Sequence, residues 1–144
     1  MFALKLLNLQ YKKQNMTIFS KIIAGQIPCY KIAESDKHFA FLDISPVQKG
    51  HTLVIPKIEI DKIFDVPDEY LAELLVFAKP IAKAIESSFK CNRVNIITVG
   101  LEVPHAHVHL IPINETNDMN LLNKKLKLSA EEMKEIQEKI VSKL

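Results

Sequence analysis

Long apolar runs are missing from this chain. No stretch approaches the ~20 residues that a membrane span needs, so the sequence offers no candidate transmembrane helix. Net charge is nearly missing too. Lys and Arg number 19 against 17 Asp and Glu, a formal +2, which is too little to make nucleic acid or an anionic membrane the main partner. Cysteine is scarce: Cys29 and Cys91 stand alone, without the paired spacing of a zinc site or a redox pair. Two lone thiols fit a reducing cytoplasm, the expected location, better than a disulfide scaffold. No internal repeat or low-complexity linker divides the chain. What is present, 144 residues with 48% hydrophobic and 25% charged content, is enough for one compact domain with a real core.

The first fifteen residues, MFALKLLNLQYKKQN, read differently from the rest. Phe2 to Leu9 is apolar apart from Lys5 and Asn8, is too short for a span, and has no small-residue cleavage site after it. Met16-Thr17-Ile18-Phe19 resembles a second start. Residues 1–15 are therefore expected to be a loosely attached extension, 16–113 the folded domain, and 114–144 a C-terminal segment with a terminal helix.

Ile18 to Ala24 has helical apolar spacing and stops at Gly25. Tyr30–Glu34 and His38–Asp43, separated by Ser35-Asp36-Lys37, read as a hairpin with His38 solvated at its turn. Lys49-Gly50 turns into a third strand, His51–Ile55. Asp68–Phe89 is the long helix: Leu71, Leu74, Leu75, Ala78, Ile81, Ala82, Ile85 and Phe89 recur at steps of three and four. Pro80 in its middle is expected to kink it. Val94–Val99 and Val103–Ile111 are two further strands. Ser129-Ala130-Glu131-Glu132 opens the last helix with a capping box, and Met133, Ile136, Ile140 and Leu144 give it a docking stripe. The order of elements is α+β, with an antiparallel sheet and one principal helix.

The chemistry concentrates at His105-Ala106-His107-Val108-His109, three of the chain's five histidines at two-residue spacing. In a strand all three imidazoles share one face. Three readings compete. They are buried histidines satisfied by hydrogen bonds; or ligands of a metal, with His51 as a fourth; or a nucleophile flanked by rings that manage its protons. Crowded imidazoles resist being charged together, which keeps one of them nucleophilic. Phosphorus is the favoured electrophile. Asp43, before Ile-Ser-Pro, reads equally as a turn residue, and Phe19, Phe41 and Leu53 as plain core.

IFSKIIAGQIPCYKI, FAFLDISPVQKGHTLVIPK and EVPHAHVHLIP, in this order, resemble the histidine triad (HIT) superfamily, closest to its Hint-like and bacterial hydrolase branch. The resemblance runs from Ile18 to Ile113. It implies an antiparallel five-stranded sheet with one long helix and a short N-terminal helix, and a homodimer whose sheet continues across the partner. It implies a hydrolase or transferase acting at the α-phosphate of a purine nucleotide, such as a nucleoside phosphoramidate. His107 would form the covalent nucleotidyl-imidazole, His109 would contact the phosphate and help protonate the leaving group, and His105 and His51 would orient the row. Asp43 would bind the ribose hydroxyls. Ile18, Phe19, Ile22, Ile27, Phe41, Ile44 and Leu53 would surround the base. No cofactor is implied, and the alternatives are a diadenosine polyphosphate hydrolase or a nucleotide-binding scaffold with little activity. Tyr70 and Phe77, outside the core stripe of the long helix, are candidates for the dimer contact.

The chain departs from the family twice. Zinc-binding members carry a Cys-x-x-Cys near the first helix where this chain has Ser20 and Ile23, so no structural metal is expected. The loop before the triad, Ile97-Thr98-Val99-Gly100-Leu101-Glu102, is several residues short. Glu102 takes the place of a serine or threonine, beside Val103 in the nucleotide-facing set. A carboxylate there opposes a polyphosphate leaving group more than an amine.

Overall fold

The computed structural model describes residues 1–7 and 16–144. Much of the proposed 1–15 extension, residues 8–15, lies outside the described residues. After helix α1 (Ile18–Ile23) come strands β1 (Lys31–Glu34), β2 (His38–Leu42) and β3 (Thr52–Pro56), helix α2 (Asp68–Ser88), strands β4 (Arg93–Ile97) and β5 (Val108–Ile113), and helix α3 (Ala130–Val141). The five strands form one sheet in the order β1-β2-β3-β5-β4, and every pairing is antiparallel. Sequence neighbours pair through hairpins, and α2 makes the crossover between β3 and β4. The sheet and helices are those the residue pattern predicts.

Both faces of the sheet are covered, which is why β2, β3 and β5 are buried along their whole length. Ala40, Leu42, Val54, Val108 and Leu110 face α2 and α3, and meet Leu74, Ala78, Ile81, Ile85, Met133, Ile136 and Ile140. Phe39, Phe41, Leu53 and Ile55 face the other way and pack with Phe19 of α1. The two-residue alternation of strands thus separates a structural face from the face that carries the site.

Several expectations change. Leu75 leaves the α2 stripe, 60% exposed beside Val76 at 71%, whereas Phe77, expected outside the stripe, is partly buried against the core. His38 is not solvated at a turn. It is buried in β2, its ring stacks on Phe77 at 5.4 Å, and its Nε2 donates to the Tyr70 carbonyl at 2.8 Å. Pro80 lies inside α2 on an exposed position, so the carbonyl it leaves unpaired can turn to water. Leu144 is exposed, while Met133, Ile136 and Ile140 dock α3 as expected. Ser129 and Glu132 close the capping box reciprocally.

The segment between β5 and α3 braces the site from outside the family core. Met119 and Leu121 pack on Val47, Ile111 and Ile113. The Leu126 amide donates to the Pro46 carbonyl at 2.8 Å. These contacts hold the Asp43–Gly50 turn against the end of the sheet. Within that turn Gly50 adopts φ +92, and a Cβ there would stand 2.7 Å from the Phe89 ring.

Candidate active site

Strand register sets the first line of the site. Phe41 faces Leu53, Leu53 faces His109, and His109 faces Ile97, so the last histidine of the row sits beside two apolar side chains of the outer face. The strand itself begins only at Val108. His105 and His107 lie in the extended segment leading into it, a correction to the expected Val103–Ile111 strand. Alternation nevertheless persists, because external hydrogen bonds replace the missing ladder. Ile60 accepts from the Ala106 amide at 2.7 Å, and the Thr98 hydroxyl donates to the His107 carbonyl at 2.8 Å. The expected Val94–Val99 strand likewise ends earlier, at Ile97, freeing Thr98 for this contact.

The rings of His51, His109 and His107 close up into a continuous group, joined to His105 through its carbonyl. His51 and His109 have ring centroids 5.1 Å apart, His107 and His109 5.0 Å, and the Phe19 ring meets His107 edge-on at 5.1 Å. Their hydrogen bonds fix where the protons are. The Val47 amide donates to His51 Nδ1 at 3.2 Å, so the proton of His51 sits on Nε2 and is donated to His109 Nδ1 at 2.8 Å. His109 is left with its proton on Nε2. His107 Nδ1 donates to the His105 carbonyl at 2.7 Å, which leaves its Nε2 as an unprotonated lone pair. His105 donates from Nε2 to the Pro56 carbonyl at 2.8 Å.

Burial is the main reason His51, His105 and His109 resist protonation. It pushes His51 down to about 3, helped by His109 and Lys125. It pushes His109 down to about 4, helped by His107 and Lys125, and it lowers His105 as well. Asp43 is raised, first by burial, against the hydrogen bond from the Ser45 amide at 2.8 Å. Asp43, His51 and His109 bring three donor atoms within 4.8 Å of one another. The set suits a cation poorly: His51 Nε2 carries a proton, and the Val47 amide blocks the other tautomer.

Next to the row lies an apolar cleft. Ile18, Phe19 and Ile22 line it from α1, Ile27 from the following turn, and Phe41, Asp43, Ile44 and Leu53 from the sheet and its end. All eight are residues expected to hold the nucleotide. Pro28, Cys29 and Leu42 also line it and went unnoticed in the sequence. Val103 packs with the Phe19–Phe41–Leu53 cluster. Glu102 is exposed and outside the lining, but its charge reaches Asp43. Lys125 was missed: it arrives from the C-terminal segment, and no spacing in the sequence links it to the histidines.

A family model for the HIT domain matches residues 24–116. The chain belongs to the HIT family. It is 40% identical over 129 residues to the Schizosaccharomyces pombe protein named adenosine 5'-monophosphoramidase hnt1, covering 88% of this chain and 97% of that one. It is 43% identical over 96 residues to the Saccharomyces cerevisiae protein named adenosine 5'-monophosphoramidase HNT1, covering 66% of this chain and 61% of that one. Among solved structures, a HIT-like protein from Bartonella henselae superposes with a TM-score of 0.79 at 31% identity, covering 90% of this chain and 97% of that one.

Proposed function

We propose that this protein hydrolyses purine nucleotide conjugates at the α-phosphate, with nucleoside phosphoramidates as the favoured class and His107 as the nucleophile. The observation that carries the reading is the hydrogen bond from His107 Nδ1 to the His105 carbonyl at 2.7 Å, which fixes the reactive lone pair on Nε2. The names of the yeast relatives support the choice of substrate.

The base enters the apolar cleft, and the Asp43 carboxylate takes the ribose hydroxyls. His107 Nε2 attacks the phosphorus, forming an N–P bond as the bond to the leaving nitrogen breaks. The cationic nucleotidyl-imidazole keeps its Nδ1 proton on the His105 carbonyl. His109 Nε2–H donates toward the phosphate and the departing atom, stabilising charge as it develops. The departing amine takes its proton from solvent at the mouth. Water then attacks the phosphorus, the N–P electron pair returns to His107, and the nucleoside monophosphate leaves with one proton released. The reading requires neither metal nor cofactor.

Incubation with an adenosine phosphoramidate and, separately, a diadenosine polyphosphate tests the proposal. Release of AMP, with an intermediate bearing one adenylyl group on His107 trapped by an alkaline denaturing quench, is the expected result. Tight nucleotide binding without product would overturn it and leave a binding protein.

A further inference from the structure

At the His105 end of the histidine row four side chains from three separate parts of the chain meet. Thr17 and Ser20 belong to the start of α1, Glu59 to the loop after β3, and His105 to the triad. The Glu59 carboxylate accepts from the Ser20 hydroxyl and from the Thr17 amide, the latter at 3.1 Å. Thr17 Oγ1 and Ser20 Oγ lie 3.2 and 3.4 Å from His105 Nδ1.

The protons can be assigned in order. His105 Nε2 is the donor to the Pro56 carbonyl, so Nδ1 must accept. Ser20 spends its one hydroxyl proton on Glu59. Thr17 Oγ1 accepts the Ser20 amide at 3.1 Å as the N-cap of α1; its own proton has three acceptors in reach, Glu59 at 3.4 Å, Ser20 Oγ at 3.3 Å and His105 Nδ1 at 3.2 Å, and goes to the nearest, His105. Glu59 is thus the acceptor that commits Ser20, and with it the direction of the whole chain. The same loop grips the backbone one residue further on, where the Ile60 carbonyl accepts from the Ala106 amide at 2.7 Å. The His105 carbonyl held in this way is the acceptor that sets the tautomer of His107.

We infer that Glu59 is a positioning residue for the nucleotide reaction. Through Thr17 and Ser20 it holds His105 as the Nε2–H tautomer, and it ties the helix that walls the base cleft to the catalytic row. The inference rests on the proposed nucleotide hydrolysis for its kinetic consequence, but not for its structural one. Glu59 is not among the residues that line the cleft, and its hydrogen bonds go to Thr17 and Ser20, so it acts through the residues it orders. Because α1 also contributes Ile18, Phe19 and Ile22 to the cleft, the clasp serves nucleotide binding and triad geometry together.

The test compares Glu59→Ala, Glu59→Gln and Thr17→Val, each first checked for a wild-type circular dichroism spectrum. The readouts are steady-state kinetics on an adenosine phosphoramidate and nitrogen-15 NMR of the histidine rings. Wild type should show His105 protonated on Nε2 and His107 on Nδ1. Glu59→Ala should mix the His105 tautomers, lower kcat about tenfold and raise KM several-fold, in line with the loss of a proton-managing partner. Thr17→Val should disturb the same His105 signals. Glu59→Gln, whose amide oxygen still accepts from Ser20, should recover most of both constants. Unchanged His105 signals and kinetics in Glu59→Ala, or damage as great in the glutamine variant, would overturn the inference. If wild type cleaves no nucleotide conjugate, the functional proposal fails while the tautomer measurement still decides the role of Glu59.

Discussion

His51 Nε2 stands 2.8 Å from His109 Nδ1, and the Val47 amide behind His51 fixes that contact as donation from His51 to His109. Two residues 58 positions apart therefore decide which nitrogen of His109 keeps its proton. A neutral His109 with an outward Nε2–H is a hydrogen-bond donor held ready before substrate arrives.

His107→Ala should lose about 10⁴-fold or more in kcat, because a nucleophile cannot be replaced by its neighbours. Its thermal midpoint should stay near that of wild type, since the row is held by backbone contacts on either side. Chromatographic assay of AMP release checks the first point and a melt the second. Wild-type turnover in the variant would sink the mechanism.

Acid should destabilise the fold well before the carboxylates titrate. His51 and His109, at about 3 and about 4, lie below the ~6.5 of an unfolded histidine. Between those values the unfolded chain takes up protons that the folded one refuses. Their stabilisation is complete above about pH 6.5 and is lost as pH falls through about 4 to about 3, with a slope of up to about 1.4 kcal/mol per pH unit for each ring. Asp43, raised by burial, works in the opposite direction at the acid end. Urea midpoints at pH 7.5, 6 and 5 should fall steadily; a flat series would contradict the neutral, buried pair.

Gly50→Ala and Gly25→Ala should differ. Both positions have positive φ, +92 and +74, but only at Gly50 does a Cβ collide with a neighbour, the Phe89 ring. Gly25→Ala should cost about 1–2 kcal/mol from backbone strain alone. Gly50→Ala should cost about 2–4 kcal/mol, strain and overpacking together. Denaturant titrations read the difference, and equal losses would mean that the Phe89 ring moves aside freely.

A homodimer of twice 16.4 kDa is expected in sedimentation. Strand β4 is a sheet edge, and Ile96 on it and Leu75 and Val76 on α2 are exposed apolar side chains. An unpaired edge beside such a surface favours self-association. Leu75→Glu with Val76→Glu should shift the protein to monomer; a wild-type monomer at micromolar concentration would refute the dimer.

Phosphoramidates should be cleaved faster than diadenosine polyphosphates. The Glu102 charge acts on Asp43, so its field extends over the site and opposes an anionic leaving group more than an amine. Lys125 pulls the other way, which limits the expected gap to roughly tenfold, about 1.4 kcal/mol. Glu102→Ser should narrow it by speeding the polyphosphate reaction. A polyphosphate preference unaffected by that substitution would place the carboxylate outside the reaction's field.

By itself the sequence determined the element order, the two-faced sheet and the identity of the histidine row. Those features rest on local periodicity: two-residue alternation in strands, three- and four-residue steps in α2 and α3, and Gly25 as a stop. Family motifs, also local, named eight of the eleven cleft residues before their positions were known. Tertiary structure decided what local pattern does not encode. His38 looked like a turn residue until the approach of α2 buried it against Phe77. The strand expected at Val103 starts only at Val108, because β4 pairs with β5 no further than the pairing of Ile97 with His109. The proton on each imidazole depends on a distant partner: Val47 for His51, Pro56 for His105, and Thr17, 88 positions away, for the far side of the same ring. Glu59 and Lys125 carry no motif at all. Their importance arises from where the folded chain sets their charge, and charge acts through space rather than along sequence.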